Sequence, residues 1–487
     1  MRKRLKLIAF LAALLTAVSC SETPVSEITD TQAPSDTTEP ENTEITLDLP
    51  ALDYDEREVT VLGWNSWDEI EFQTEEETGD VINDAIYARN RAVEERLNVR
   101  LTFLEDGGRS GDQTWLTKVR TSANAADGSY DIIAGHSHNI GTLTTDSYLC
   151  NLLELEYLDF SKPWWRSSLT ENATIRNHLF FCTGDISPSA LTRIQGVYFN
   201  TRMIEEHKLE DPYDIVLAGK WTTDKLMEMS KGVYSDVNGD GAKSEYEDVF
   251  GFMIEPIQVQ AIGFAAGMRS LTTDSDGNLI PNAELVSNRS DTLVTKWINF
   301  LHNSNDACII SKEDDWSAFQ SGRTLFWGWP TVYMNTGGRD MKDNCGFIPY
   351  PKFDETQENY ITFTSNAYSL WAIPIDATDK DMSAALLEVL SYEGSSTIMP
   401  AVFEVAYKVK YNQTGSEKQT AIFDLIRESM TFDIGRVFPN FTNGLFYMIS
   451  NAIINNDNTL ASTYALIAPG AEKALDGWME KLIDAES

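Results

Sequence analysis

EVTVLG at residues 58–63, VRLTFL at 99–104 and YDIIA at 130–134 decide the fold class. Each is a short run rich in β-branched and large apolar side chains, the composition of a strand. Between the first two, Ile82, Ile86, Val93 and Leu97 recur at helical spacing, and residues 115–126 form a second helical stretch. Strand, helix, strand, helix, strand predicts a parallel sheet covered by helices, an α/β architecture. Open sheets of this kind hold ligands beyond the C-terminal ends of their strands. At those ends stand Trp64, Asn65, Ser66 and Trp67, and then Gly135, His136, Ser137, His138 and Asn139.

Further along, the pattern begins again. GVYFN at 196–200 predicts a strand followed by a helix from Thr201. Thr222 or Thr223 suits the cap of another helix. Leu293, Trp297, Ile298 and Leu301 share a helical face, TLFWGW at 324–329 is strand-like, and so are 345–348 and 369–373. Residues 382–390 and 447–454 return to helical spacing. A chain of 487 residues exceeds what one core serves, so two α/β lobes are expected.

The chain carries 75 Asp and Glu against 38 Lys and Arg, a formal net charge of −37. Such a surface repels phosphate backbones, so nucleic acid is excluded as a partner. With 42% hydrophobic and 11% aromatic residues, global disorder is excluded too.

Arg2, Lys3, Arg4 and Lys6 border an apolar stretch, residues 5–18, too short to span a bilayer. Ala17, Val18 and Ser19 then precede Cys20. Small residues before a cysteine resemble the bacterial lipobox, although Ala17 stands where that pattern usually has Leu. The resemblance implies that Cys20 is lipidated and becomes the mature N-terminus. The alternative is ordinary secretory cleavage without lipid. Residues 21–48 hold eight carboxylates among Thr, Ser and Pro, with no Lys or Arg, and are expected to form a disordered tether. The expectation is an exported monomer, lipid-anchored on the outer face of the bacterial cell membrane.

Residues 236–247 match the calcium-loop pattern at every defined position. Asp236, Asn238 and Asp240 supply oxygens at alternate residues, Gly241 allows the turn, and Ala242 offers a carbonyl. Glu247 closes the cage, with Glu245 competing for that role and Ser244 contributing through water. Calcium is expected as a structural clip; the competing reading is a polar turn without metal. The other cysteines, Cys150, Cys182, Cys308 and Cys345, lack CxxC spacing, leaving disulfides and buried thiols both open.

Tyr198-Phe-Asn200, Pro212-Tyr213, Gly219-Lys-Trp-Thr222, the Asp236 loop running into Phe250-Gly251-Phe252, Ser321-Gly-Arg-Thr-Leu-Phe326 and Gly346-Phe-Ile-Pro-Tyr-Pro351 follow one another in a distinctive order. Together they resemble the extracellular solute-binding proteins of ABC transporters, in the carbohydrate-binding group related to maltose-binding protein. The resemblance spans most of 55–485. It implies a periplasmic-binding-protein-like fold of two discontinuous lobes joined by a hinge. One lobe would hold 49–183 and 362–412, the other 184–361 and 413–487. It also implies a carbohydrate ligand in the cleft, delivery to ABC transporter permease subunits, and no catalysis.

A sugar offers apolar C–H faces to aromatic rings and hydroxyls to polar side chains. Trp64, Asn65 and Trp67 follow the first strand. The resemblance puts Trp329 and Tyr333 near a stacking ring and Phe446 at the start of a late helix. His138, Asp185 and Glu255 are polar candidates at strand ends or in the hinge. For each aromatic, core packing competes with ligand stacking; Trp164, Trp165, Trp297 and Trp478 read as structural. His136 and His138 have no further His or Cys nearby in sequence to complete a metal site. Two other classes compete: a mostly helical glycan-binding surface lipoprotein of an outer-membrane uptake system, and a secreted glycoside hydrolase. No nucleophile elbow, HExxH or P-loop is present for the enzymatic reading.

Overall fold

The computed structural model describes residues 46–65, 70–311, 316–331, 341–408 and 416–486. Arg57–Gly63 (β1), Val99–Glu105 (β2) and Ile132–His136 (β3) pair in parallel, with β1 in the centre. Ser369–Ala372 (β12) adds an antiparallel edge beside β3, giving the order β12-β3-β1-β2.

The connecting helices have local causes. Val81–Leu97 (α1) starts where the Asp80 carboxylate accepts from the backbone N–H groups of Ile82 and Asn83, and stops where Asn98 turns left-handed at φ 50°. Its Ile86, Val93 and Leu97 are buried. Gln113–Ala125 (α2) is capped by Asp112 in the same way. Ser137–Thr145 (α3) follows β3 without a linker, which fixes His136 and His138 at the sheet's C-terminal edge.

Gln195–Asn200 (β4), Phe250–Ile254 (β5), Ala307–Ile309 (β8), Thr324–Pro330 (β9) and Cys345–Ile348 (β10) form a second sheet, ordered β10-β4-β9-β5-β8. β5 is parallel to β8 and β9, whereas β4 runs antiparallel to both its neighbours. Every residue of β4, β5 and β9 is buried, so both faces of the sheet are covered, which explains the unbroken apolar runs in sequence. A small hairpin, Leu271–Thr273 (β6) with Leu279–Pro281 (β7), lies outside the sheet.

The sheets are joined by strands lying side by side. Thr362–Phe363 (β11) pairs in parallel with Met430–Thr431 (β13), and Ile194 bridges to Thr364 just before β4 begins. Cys182 bridges to Trp371 of β12 at the other end of the same connection. The fold is thus the expected two-lobed α/β arrangement. The parallel pairing expected from the sequence holds for β1–β3 and for β5 with its neighbours. The antiparallel β4 and β12 each enter their sheet from the connection between the lobes, which reverses their direction. Sheets of four and five strands also set this fold apart from a mostly helical lipoprotein. Among the described residues, no helix is long and apolar enough to cross a membrane. Cys150, Cys182, Cys308 and Cys345 are all free thiols.

Candidate ligand site between the sheets

One polar chain links the two halves of the fold. Ser110, in the turn after β2, meets His138 Nδ1 at 2.8 Å. His138 Nε2 meets Asn366 Nδ2 at 3.2 Å, and Asn366 Oδ1 accepts from Arg436 Nη2 at 2.8 Å. Arg436 can only donate, so its bond orients the Asn366 amide. The amide NH2 then donates to His138 Nε2, which puts the imidazole proton on Nδ1, donating to Ser110 Oγ. Burial, reinforced by the positive charge of Arg436, pushes His138 down to about 3, so it is a neutral ring. His136, 5.0 Å away between ring centroids, is likewise held well below the usual histidine range by burial, then by His138 and Arg436.

Arg436 stands in the short helix Ile434–Val437, directly after β13, and is 6% exposed. Its guanidinium lies 4.5 Å over the Phe446 ring, 5.4 Å from Tyr447 and 5.9 Å from Phe363. Burial lowers its pKa, while Tyr447, Asp433 and Tyr368 favour the charged form. Among the described residues, neither Nε nor Nη1 has a hydrogen-bond partner of good geometry, and the Tyr447 side chain stabilises the cation from close by. The cluster therefore combines aromatic faces, a neutral imidazole, a carboxamide and a cation with free donors. That is the chemistry of a site for a polar, ring-shaped solute.

His138 and Phe446 are the sequence candidates brought together here. Trp64 lies beside the cluster, edge-on to His136 at 5.1 Å, but is fully buried and donates from Nε1 to Ser369 Oγ at 2.8 Å. Asn65 is exposed, its backbone N–H held by Gly107 O. Asp185 is fully buried and faces Arg166 and Arg427, so it acts as their counter-ion. Glu255 is buried at the end of β5 next to Tyr350, whose hydroxyl is pushed up by burial and by the Glu255 charge. Trp329 is buried in a stack, 4.8 Å from Trp327 at 9°, with Trp316 edge-on at 6.0 Å. Trp67, Tyr333 and Cys20 lie outside the described residues. Sequence reasoning missed Ser110, Asn366, Tyr447 and Arg436. None sits in a recognisable motif, and only their meeting across the fold marks them.

The 236–247 loop is an exposed turn organised by its own carboxylates. Asp236 accepts from the backbone N–H of Gly239 and Gly241 at 2.7 and 2.8 Å, and Asp240 from that of Ala242 at 2.7 Å. Asn238 Nδ2 bridges Asp240 and Glu247 at 3.0 and 2.9 Å. Glu245 instead accepts from the backbone N–H of Ser311 at 2.9 Å, and the backbone N–H of Ser244 donates to Asp248 at 2.9 Å. Among the described residues, no three His, Cys, Asp or Glu side chains are grouped as around a metal ion. The donor types suit calcium, and turning the Asn238 amide over would replace its NH2 by an oxygen; the spacing is that of a hydrogen-bonded turn.

No family model and no curated protein matches this chain in sequence. Solved structures match it in fold. A cyclic α-maltosyl-1,6-maltose binding protein from Arthrobacter globiformis superposes with a TM-score of 0.56 at 16% identity, covering 88% of this chain and 100% of that one. The galacto-N-biose-/lacto-N-biose I-binding protein of an ABC transporter from Bifidobacterium longum, in complex with lacto-N-biose, gives 0.55 at 11%, with 88% and 98% covered. An ABC substrate-binding protein from Listeria monocytogenes in complex with cycloalternan gives 0.52 at 11%, with 88% and 99% covered. At these identities the likeness establishes the fold: that of the two-lobed, maltose-binding-like substrate-binding proteins of ABC transporters.

Proposed function

We propose that this chain is the solute-binding component of an ABC importer, capturing a carbohydrate between its lobes and delivering it to a permease without chemical turnover. The observation that supports this reading is the ring-lined polar chain Ser110–His138–Asn366–Arg436, whose members come from segments far apart in sequence; we assign Arg436 to one lobe and the other three to the other. A solute bound there would touch both lobes and favour the closed form, a population shift that a permease can read. Solved structures of this fold hold cycloalternan and lacto-N-biose, which supports a saccharide of more than one ring. The decisive experiment is a thermal-shift and calorimetric screen against mono- and oligosaccharides, with product analysis of the same mixtures. A ligand that binds only the folded state raises the melting temperature. Stabilisation by none of them, or conversion of one, would overturn the reading.

The chain is further proposed to work as a monomer held to the outer face of the cell membrane by lipid on Cys20. Cys20→Ala should move it to the soluble fraction; unchanged membrane retention would dismiss the anchor. Calcium is proposed for the 236–247 loop, with Asp236, Asn238, Asp240, Ala242 and Glu247 as ligands. Wild-type protein should melt higher in calcium than in chelator, and Asp236→Ala should abolish the difference. Equal melting in both would remove the metal.

A further inference from the structure

We propose that the solute is an acidic saccharide, one whose carboxylate pairs with Arg436 at the junction of the lobes. This rests on the carbohydrate-binding reading above and names the substrate class of the same site.

The inference starts from an unbalanced charge. Arg436 is 6% exposed, and among the described residues no carboxylate forms an ion pair with it. Its close neighbours are the rings of Phe446, Tyr447 and Phe363, the Asn366 amide and, beyond it, the neutral His138. Asp433 is the carboxylate that bears on it through space. That carboxylate is already engaged: Ser270 and Gly435 donate backbone N–H groups to it, each at 2.9 Å, and the Ser270 hydroxyl donates as well. Asp433 also favours the charge of a second, half-buried guanidinium, Arg269, which spends Nη1 on the carbonyls of Phe264 and Met268. One carboxylate thus serves a buried and a half-buried cation, leaving the Arg436 guanidinium without a carboxylate of its own inside a chain of net charge −37.

The donor geometry specifies what would balance it. Stacking on Phe446 covers a face of the guanidinium and leaves its N–H edges for in-plane partners. Among the described residues, Nε and Nη1 are buried without a hydrogen-bond partner of good geometry, with Tyr447 close by, and Nη2 gives one hydrogen to Asn366. Whichever hydrogen that is, the other Nη2 hydrogen lies on an edge beside Nε or beside Nη1. Two parallel donors on one edge match a carboxylate, which takes both and supplies the missing negative charge. A neutral sugar hydroxyl would satisfy a single N–H and leave the charge buried. The rings of Phe446 and Tyr447 close to the guanidinium suit the C–H face of the pyranose carrying the acid.

Two matched probe pairs test this in calorimetry on the chain from Cys20→Ser onward: trigalacturonate against galactotriose, and cellobiouronic acid against cellobiose. Within each pair, exocyclic carboxylates stand where the neutral twin, taken with the same linkage, has hydroxymethyl groups: one on every ring in the first pair, a single one in the second. The acidic member of at least one pair should bind tenfold or more tighter than its neutral twin. Arg436→Gln should erase that preference, and Arg436→Lys should keep part of it. The wild-type comparison stands by itself should Arg436→Gln fail to fold. Neutral members binding as well as or better than acidic ones would overturn the acidic class and leave sugar binding intact. Binding of other neutral sugars with neither acid bound would do the same. No binding of any saccharide would overturn both.

Discussion

Adding one methyl group at Gly141 should separate closure of the lobes from stability of the fold. Gly141 lies on α3, and a Cβ built there would stand 1.9 Å from the carbonyl oxygen of Val437 and 2.8 Å from its carbon. Ordinary contact begins near 3.4 Å, so α3 and the segment carrying Arg436 would have to part by roughly 1.5 Å. A backbone carbonyl cannot swing aside as a side chain can. Nearby, Asn440 Nδ2 donates to Thr142 Oγ1 at 3.3 Å and Phe438 packs edge-on to Phe181 at 6.1 Å, so the same displacement loosens further contacts. Overpacking of this kind costs about 1–3 kcal/mol. If α3 belongs to one moving lobe and Val437 to the other, Gly141→Ala penalises the closed form alone. The apparent Kd of the saccharide found by screening should then rise by about 5- to 150-fold, because only the closed fraction binds fully. The ligand-free melting temperature should stay near the wild-type value, and the radius of gyration by X-ray scattering should grow. A lowered melting temperature with unchanged affinity and unchanged radius would place both segments in one rigid body and refute the closure reasoning.

Two further perturbations address stability. Asp185→Asn leaves the buried Arg166 without its counter-ion and should cost about 3–5 kcal/mol in urea unfolding, most of it recovered by adding Arg166→Met; a loss below about 1 kcal/mol would show that the pair is dispensable. Glu388 is 2% exposed and accepts from Trp164 Nε1, Trp165 Nε1 and the backbone N–H of Asp159, yet burial pushes its carboxyl up to about 7. The folded state then holds this proton across the window from the ordinary value of 4.5 to about 7, while the unfolded state has released it. Stability should therefore fall as pH rises through that window, by up to about 3 kcal/mol from this one group. Glu388→Gln should flatten the profile, and an identical slope in the variant would assign the pH dependence elsewhere.

The elements were legible in the sequence because their causes are local. Asp80, Asp112 and Thr222 cap helices through backbone N–H groups two or three residues away, and β9 shows its burial on both faces as an unbroken apolar run. Strand-end position also singled out His138, which the fold joins to Ser110 and Asn366. It did not predict the role of Trp329. Alternation along β9 puts Trp327 and Trp329 on one side of the sheet, and the rings of Tyr198, Phe319 and Phe347 close over that side. The calcium pattern likewise named six of the loop's polar positions but not Asp248, which accepts from the Ser244 and Val237 N–H groups and the Tyr234 hydroxyl.

What no local pattern carries is the meeting of Asn366 with His138, 228 residues earlier, and with Arg436, 70 residues later. Net charge carried even less. A surface dominated by Asp and Glu predicts repulsion of anions, and for diffusing partners at low ionic strength that holds. Within the junction the sign is reversed by a single residue, and there distance and dielectric outweigh number. Charges spread over the surface are screened beyond about 8 Å at physiological salt, whereas a desolvated guanidinium acts on a partner in direct contact at several times the strength it would have in water. An acidic solute should therefore meet this protein more slowly at low salt and, once enclosed, be held by a contact that salt weakens little. Association rates that rise with ionic strength beside nearly constant dissociation rates would be the kinetic mark of that division.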